Sequence, residues 1–436
     1  MFGVGKGTTM AIVRMGVVVL AATGLVAGCS STTTTPAVPA SSDSASSSAP
    51  ATSGSAAATP AAAAGVEAAV TDVPWAQVGP GWLLAEWSPV GPHRGGEQPA
   101  PGEPEKASTT LYLVDPAGNR YAITTFAPGG DVRLVDWSGD GSHALFTPSY
   151  VSPTSAISVD LRTGQQTTIP IAGDPRYTRP DGTALLVSTS FNGDRPGTLK
   201  RVDLSGNPQF SYPTDDLGGA GQFSGDFVES ADGTRLVLAT ANLGNEVVAR
   251  SDNSLVVMSN DGKVIQTLPT PMPKALCAPV KWWTSTTLLV RCTAEGSSAN
   301  QLWEMPLDGG AATSITALNS GQGDDPGFGG DLGDGDAWRL PSGTFLQSAG
   351  ACGTEFLSRL TPDGHTARVT IPGVSDSVVV TGAADDRLLV RGQLECGGTT
   401  SLVSYDPAAN AAKVLLGPPV NGGGVSQAML YPRPDA

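Results

Sequence analysis

Short segments in which apolar and polar residues alternate recur along most of the chain, separated by tight turns rich in Asp, Gly, Asn and Pro. The clearest is residues 132–146, VRLVDWSGDGSHALF, which predicts a strand, an Asp-Gly turn and a second strand. Weaker copies of this pattern occupy residues 178–188, 229–239, 338–348 and 381–391. Beyond the N-terminus no window shows a convincing amphipathic helical period, so the pattern predicts an all-β chain built from hairpins.

Each hairpin of this kind is followed by a second one, and the pairs form seven repeating units. The units span residues 73–126, 132–172, 176–212, 225–268, 277–315, 336–371 and 377–416. Seven four-stranded units at this spacing predict a seven-bladed β-propeller of antiparallel blades, in which blade packs against blade around a closed ring. One further strand is predicted at 425–431. It competes with residues 75–78 for the inner position of the first blade, and the sequence leaves that choice open.

The N-terminus has the organisation of an export signal. Lys6 and Arg14 supply positive charge before an apolar run at 15–27 that is too short for a comfortable membrane span. The run ends in LVAGC at 25–29, which resembles the bacterial lipobox. That resemblance implies that residues 1–28 are a signal peptide and that Cys29 carries a diacylglycerol thioether. The alternative is an ordinary cleaved signal that leaves Cys29 as a free thiol.

Residues 30–64 are almost entirely Ser, Thr, Ala, Pro and Gly, with no aromatic residue. Such a segment cannot bury enough apolar surface to fold, so we expect residues 29–72 to form a disordered tether and residues 73–436 the propeller. A lipid anchor followed by a tether predicts an exported protein held at the outer face of the cell membrane.

The net charge of −15 becomes more negative once the leader is removed, because Lys6 and Arg14 go with it. This charge argues against a nucleic-acid partner and against electrostatic adsorption to anionic lipid. We therefore expect a protein or an envelope polymer as partner, membrane contact only through the lipid, and a monomeric chain.

One repeat carries a family resemblance. Residues Trp137, Ser138, Asp140, Gly141 and Phe146 are similar to the W-S-x-D-G-x-x-x-x-F repeat of TolB-like propellers. The Asp-Gly pairs at 181–182 and 232–233 are similar but lack the preceding Trp-Ser. The resemblance implies the propeller fold and little about function, because propellers include both binding proteins and enzymes.

Four cysteines follow Cys29. Cys277 and Cys292 flank one predicted hairpin, and Cys352 and Cys396 occupy equivalent places in adjacent blades. An even number in an exported chain suggests two disulfides, for which 277–292 and 352–396 is the preferred of three pairings. A cysteine metal site is not indicated, because no C-x-x-C occurs.

The connections between predicted strands are unequal in length. The first and third turns of each unit are tight, whereas the second and fourth connections include nearly all the long loops. In a propeller these two sets lie on opposite faces. The long loops are residues 88–109, 191–196, 214–224, 241–253, 293–300 and 319–336. We expect function on the face that carries them and at the mouth of the central channel there, with neutral loop growth as the alternative.

Two local features suggest ligands. An acidic, Gly-rich loop could hold calcium, although its spacing is not that of an EF-hand and a solvated loop is the competing interpretation. Its carboxylates are Asp324, Asp325, Asp331, Asp334 and Asp336. Trp282, Trp283 and Trp303 could form a platform for stacking sugars, but alternation along a strand favours core packing. No other cofactor is expected.

Catalytic signals are weak. His93, His143 and His365 are the only histidines, and no G-x-S-x-G nucleophile elbow occurs. We therefore expect a non-catalytic binding or scaffolding module. The alternative is a channel-mouth hydrolase or lyase that acts on glycan or peptide through paired carboxylates.

Overall fold

The computed structural model describes most of the chain from residue 60 onward. The described ranges are 60–93, 101–104, 107–130, 132–148, 153–191, 195–243, 250–251, 253–295, 299–318, 335–349, 355–362, 366–374, 377–393 and 399–432. Cys29, Cys352, Cys396, His365 and the acidic positions Asp324, Asp325, Asp331 and Asp334 lie outside the described residues. Among the described residues, no helix is long and apolar enough to cross a membrane.

The strands form seven sheets, one for each predicted blade, and the prediction of a seven-bladed propeller is confirmed. Two short strands come first: β1 (Ala61–Ala62) and β2 (Glu67–Ala69). Blade 1 contains β3 (Leu83–Ser88), β4 (Thr109–Val114) and β5 (Arg120–Phe126). Blade 2 contains β6 (Arg133–Trp137), β7 (His143–Thr147), β8 (Ser155–Asp160) and β9 (Gln166–Pro170). Blade 3 contains β10 (Asp174–Tyr177), β11 (Ala184–Thr189), β12 (Thr198–Asp203) and β13 (Pro208–Ser211).

The second half of the ring repeats the same antiparallel order. Blade 4 contains β14 (Gln222–Glu229), β15 (Arg235–Leu243), a short β16 (Arg250–Ser251) paired with β15, β17 (Ser254–Ser259) and β18 (Val264–Pro269). Blade 5 contains β19 (Ala275–Trp282), β20 (Thr287–Ala294), β21 (Asn300–Pro306) and β22 (Thr313–Ser314). Blade 6 contains β23 (Asp336–Leu340), β24 (Gly343–Ala349), β25 (Glu355–Leu360) and β26 (Thr366–Arg368). Blade 7 contains β27 (Ser377–Ala384), β28 (Arg387–Gln393), β29 (Thr399–Asp406) and β30 (Ala411–Leu416), and the last strand is β31 (Gly424–Leu430). The described residues also contain three short 3-10 turns, at Val70–Asp72, Trp75–Gln77 and Leu217–Gly219.

The C-terminal strand closes the ring. β31 pairs antiparallel with β3, with Leu430 opposite Leu83, and so becomes the inner strand of blade 1. The competing segment at 75–78 does not form a strand, because Trp75–Gln77 is a 3-10 turn. Pro74 and Pro80, on either side of this segment, have no backbone N–H with which to extend a ladder beyond it. The first hairpin predicted within residues 73–87 is therefore replaced by a pair drawn from the two ends of the propeller.

A segment assigned to the tether lies against this closure. β1 adds parallel to the outer strand β30 of blade 7, and β2 adds parallel to the outer strand β5 of blade 1. We call residues 60–72 the strap, because they join the two blades from outside. Folded structure thus begins N-terminal to the boundary predicted at Val73.

Close backbone packing holds the strap in place. Ala63 is buried among apolar side chains of blades 1 and 7, including Val114 and Leu415. A side chain at Gly65 would meet the carbonyl oxygen of Gly118 at 2.0 Å, so only glycine fits there. The Val66 backbone N–H also donates to the Asn119 side chain at 3.1 Å.

The apolar core lies between neighbouring blades. Trp137 is fully buried with residues of blades 1 and 2, and its ring meets that of Tyr431 edge-on at 5.1 Å. The Asp140-Gly141 turn that follows is held by Ser138, whose hydroxyl donates to the Asp140 carboxylate at 2.6 Å. This repeat therefore builds the ring rather than a binding site.

Buried polar side chains also connect successive blades. Asp136 in blade 2 accepts the backbone N–H of Tyr177 in blade 3 at 2.7 Å. Asn253 beside blade 4 donates to the Cys277 carbonyl at 2.7 Å and accepts its N–H at 2.8 Å. These contacts supply hydrogen-bond partners to backbone groups that are not paired within the sheets, and they fix the register of one blade against the next.

Candidate binding site in the central channel

The inner strand of each blade lines the central channel; it is β31 in blade 1 and the first strand in each of the other six blades. These inner strands start at the face with the long connections and end at the face with the tight turns. Along blades 2–5 the channel holds two adjoining pockets that share Arg176, Phe227, Val228 and Val280. We call the pocket nearer the long connections the upper pocket and the one nearer the tight turns the lower pocket.

The upper pocket has a volume of about 390 Å³ and a mainly polar lining. Its charged and hydroxyl side chains are those of Arg133, Asp174, Arg176, Ser188, Ser190 and Asp226. They come from β6, β10 and β14 and from the end of β11, with Arg133 and Asp174 at the starts of their strands, so the pocket opens toward the long-connection face. Arg133, Asp174 and Asp226 are exposed. This mixture of charges suits a ligand that forms hydrogen bonds in water.

The lower pocket has a volume of about 220 Å³ and a more apolar wall. Phe227, Val280 and Trp282 supply apolar surface. The indole N–H of Trp282 donates to the Glu229 backbone carbonyl at 2.8 Å, which fixes the ring at the end of β19.

Two basic groups at the lower pocket are neutralised by carboxylates. Arg179 donates to the buried Asp136 carboxylate at 2.7 Å and to the Trp137 carbonyl at 3.0 Å. Lys281 lies 2.7 Å from an Asp336 oxygen, and its ammonium sits over the Trp338 ring at 4.4 Å. Desolvation lowers the pKa of Lys281, and Asp336 opposes that shift. Both cations are therefore held by the ring itself.

Glu229 lies between these pairs. Its Oε2 accepts the backbone N–H of Arg179 at 2.9 Å, while its buried Oε1 has no hydrogen-bond partner. Desolvation raises the pKa of this carboxyl to about 7, despite the opposing effect of Arg179. Burial thus favours the protonated form of Glu229.

A third cavity, of about 420 Å³, lies where blades 6, 7 and 1 meet at the long-connection face. Glu355, Arg391, Gln393 and Ser426 provide its polar lining, and we call it the seam cleft. Arg391 donates to the Ser426 backbone carbonyl. Burial raises the pKa of Glu355, and Arg391 opposes that shift.

Glu86 is buried behind the seam cleft. Its Oε2 accepts the Ser426 hydroxyl at 3.1 Å, and its residue surface is 1% exposed. Desolvation raises its pKa to about 7, against the hydrogen bonds from Ser426 and the Leu134 backbone and the charge of Arg391. The cleft thus lies beside a carboxyl that is easily protonated.

The predicted sites are placed as follows. Asp336, the described member of the predicted calcium loop, pairs with Lys281 and accepts the Ala337 N–H at 2.7 Å. Among the described residues no group of three or more His, Cys, Asp and Glu side chains could hold a metal ion. The calcium hypothesis for the other four positions stays a prediction. Cys277 and Cys292 form a disulfide across β19 and β20.

The three tryptophans do not form one platform. Trp282 and Trp303 pack against the core between blades 4 and 5, whereas Trp283 packs with Leu289 and Leu346 between blades 5 and 6. The Arg339 guanidinium also covers the Trp283 ring at 4.8 Å. Adjacent residues of a strand point to opposite faces, which is why the Trp282-Trp283 pair is split.

The two described histidines also lie apart from the channel pockets. His93 Nε2 is 3.1 Å from Glu103 in the β3–β4 connection, and His143 Nδ1 is 2.6 Å from the Ser142 hydroxyl at a tight turn. Neither lines the upper or the lower pocket. The described histidines therefore supply no general base to either pocket.

Sequence reasoning missed the channel residues themselves. Arg133, Asp174 and Arg176 lie on the first strand of their blades at positions that alternate with buried or partly buried residues. A charged residue at such a position faces the channel, because the neighbouring position fills the core between blades. The charged positions are visible in the repeat, but they predict channel residues only once the inner strand of each blade is known.

No protein-family model matches the chain, and no curated protein sequence matches it. Solved propellers resemble it in fold. The β-propeller domain of the Trilobed protease from Pyrococcus furiosus is 14% identical, with a TM-score of 0.44 over 71% of this chain and 87% of that one. TolB from Acinetobacter baumannii is 15% identical, with a TM-score of 0.39 over 66% and 64%.

The periplasmic gluconolactonase PpgL from Pseudomonas aeruginosa is 14% identical, with a TM-score of 0.44 over 79% of this chain and 98% of that one. These similarities concern the fold, and their TM-scores below 0.5 carry no argument about activity.

Proposed function

We propose that this chain is an exported lipoprotein, anchored through Cys29 at the outer face of the cell membrane, whose propeller is a non-catalytic binding or scaffolding module. Its partner is a protein or an envelope polymer. The partner binds at the long-connection face, over the upper pocket.

The proposal rests on how charged groups are distributed along the channel: those of the upper pocket are exposed to solvent, and those below it are paired within the ring. Exposed groups of both signs, such as Arg133 and Asp226, line the upper pocket. The ions below them, the buried Asp136 and the half-buried Arg179, form contacts between blades 2 and 3. Such a mouth can recognise a polar partner without supplying a reactive group.

Site-specific photo-crosslinking tests this assignment. A photoreactive residue at Ser190, in the upper pocket, is compared with one at Thr183, an exposed residue of a tight turn in the same blade. In intact cells we expect one reproducible adduct from position 190 and none from position 183. Equal adducts from both positions, or adducts from 183 alone, would contradict the proposed face.

The anchor has its own test. Metabolic labelling with an alkyne fatty acid should mark the wild-type chain, and Cys29→Ser should abolish the label and release the chain from the membrane fraction. Undiminished labelling of Cys29→Ser would disprove lipidation at this position. This outcome is independent of the crosslinking result.

The seam cleft keeps an enzyme as the second candidate. Glu355 lines the cleft beside Arg391, and the buried Glu86 lies behind it, so two carboxyls with raised pKa values adjoin one cation. Paired carboxyls of this kind serve general acid–base chemistry on glycans. Release of reducing ends from envelope polysaccharide that Glu355→Gln abolishes would favour a hydrolase or lyase over the binding module.

A further inference from the structure

The charges around the lower pocket do not cancel completely. Arg179 is paired with Asp136, and Lys281 is paired with Asp336. Arg176, by contrast, makes no hydrogen bond or ion pair with any residue that the structure describes, although it lines both pockets. Its guanidinium is the uncompensated charge in this part of the channel.

Two exposed acidic residues of the channel lie outside the lower pocket. Asp174 and Asp226 line the upper pocket and not the lower one. Glu229 does line the lower pocket, but desolvation raises the pKa of its carboxyl to about 7, so it repels an anion less than an ionised carboxylate would. An anion in the lower pocket therefore faces net positive charge in a chain of strongly negative overall charge.

The same pocket offers apolar surface. Trp282 and Phe227 present aromatic side chains to it, and Val280 adds an aliphatic one. Small-molecule sites combine a mainly apolar wall with a few convergent polar groups, and arginine is suited to bidentate recognition of a carboxylate.

We propose that the lower pocket binds a small organic carboxylate with an apolar or aromatic body. The carboxylate pairs with Arg176, and the body packs against Trp282 and Phe227. This site lies toward the tight-turn end of the channel. It adjoins the upper pocket, over which the partner is proposed to bind, and shares Arg176 and Phe227 with it.

Calorimetry with two isosteric probes tests the site. Indole-3-acetate carries the carboxylate, and indole-3-acetamide is its neutral counterpart. The purified full-length chain is reconstituted in lipid nanodiscs, and empty nanodiscs provide the blank for partitioning of the probes into lipid. We expect indole-3-acetate to bind at least tenfold more tightly than the amide.

Two variants that each lose one positive charge distinguish a direct contact with Arg176 from a general effect of net charge on binding. Arg176→Gln should weaken indole-3-acetate at least tenfold and leave the amide unchanged. Lys200→Gln, an exposed position on the third strand of the same blade, should change neither by more than twofold. Arg176→Lys should retain part of the preference for the acid.

Equal affinities for acid and amide, full binding by Arg176→Gln, or no binding of either probe would each overturn the proposal. Crosslinking from Ser190 is unaffected by these outcomes, so failure of this site and failure of the partner surface are distinguishable.

Discussion

The side chain of Gln347 in blade 6 accepts the backbone N–H of Val380 in blade 7 at 2.6 Å. Its amide nitrogen donates to the Val378 carbonyl at 3.0 Å and to the Phe356 carbonyl at 2.8 Å. One buried amide thus satisfies three backbone groups and ties two blades together. Asp136 and Asn253 do the same elsewhere in the ring, so blade contacts depend on polar side chains as well as on apolar packing.

Replacing Gln347 with Leu should destabilise the propeller by about 2–4 kcal/mol, because a buried N–H and two buried carbonyls lose a partner. Chemical denaturation of the variant measures the loss. Gln165→Leu, at an exposed turn residue, is the matched control and should change the free energy of unfolding by less than about 0.5 kcal/mol. Equal stability of the two variants would show that the hydrogen bonds of the Gln347 side chain contribute nothing to stability.

In the strap, a charged substitution should reduce stability at Ala63 but not at the neighbouring Ala64. Ala63 is buried between blades 1 and 7, whereas Ala64 is exposed. Ala63→Glu places a charge in an apolar environment and should lower stability by about 2 kcal/mol, since the strap can detach rather than bury it fully. Ala64→Glu should have little effect. Thermal unfolding of both variants measures the difference, and the same melting temperature for both would argue against a packed strap.

The disulfides are open to direct mapping. Non-reducing peptide mass spectrometry should find Cys277 linked to Cys292, as in the structure, and Cys352 linked to Cys396, as the sequence predicts. In the chain-entropy model these bridges stabilise by roughly 3 and 4 kcal/mol.

The variant Cys277→Ala/Cys292→Ala should lose the smaller stabilisation, roughly 3 kcal/mol. It should remain sensitive to reductant if the second bridge exists. A crossed linkage, such as 277–352, or a reductant-insensitive double variant would contradict the predicted pairing.

Stability should fall as pH rises toward 8. Burial raises the pKa of Glu86 from its ordinary 4.5 to about 7, so the folded chain holds a proton there that the unfolded chain has already released. This contribution is fully present below about pH 4.5 and is lost as pH rises through about 7. Glu229, with its pKa also raised to about 7, acts in the same direction.

Glu86→Gln removes one of these titrations and should flatten the decline between pH 5 and 8 by up to about 3 kcal/mol, and Glu86→Gln/Glu229→Gln should flatten it further. Denaturation midpoints at a series of pH values measure the slope of stability against pH. A slope unchanged in both variants would mean that neither carboxyl is protonated in the folded chain.

The repeat could be read from the chain because its signals are local. Alternation within six or seven residues and an Asp-Gly turn, as at Asp140-Gly141, depend on neighbouring positions alone. The seven units and their hairpins follow from such signals, apart from the first hairpin of the first unit. Splitting of Trp282 from Trp283 likewise follows from the two-residue period of a strand.

The closure, the strap and the channel depended on contacts between distant parts of the chain. Two segments had apolar patterns compatible with the inner position of blade 1, and the pairing of Leu83 with Leu430 decided between them. Strap residues have the composition of a tether. They pack because Gly65 and Gly118 allow the two backbones to approach closely. Arg176, which pairs with no residue that the structure describes, comes to lie beside an aromatic wall only once β10, β14 and β19 surround one channel, and no local pattern encodes that arrangement.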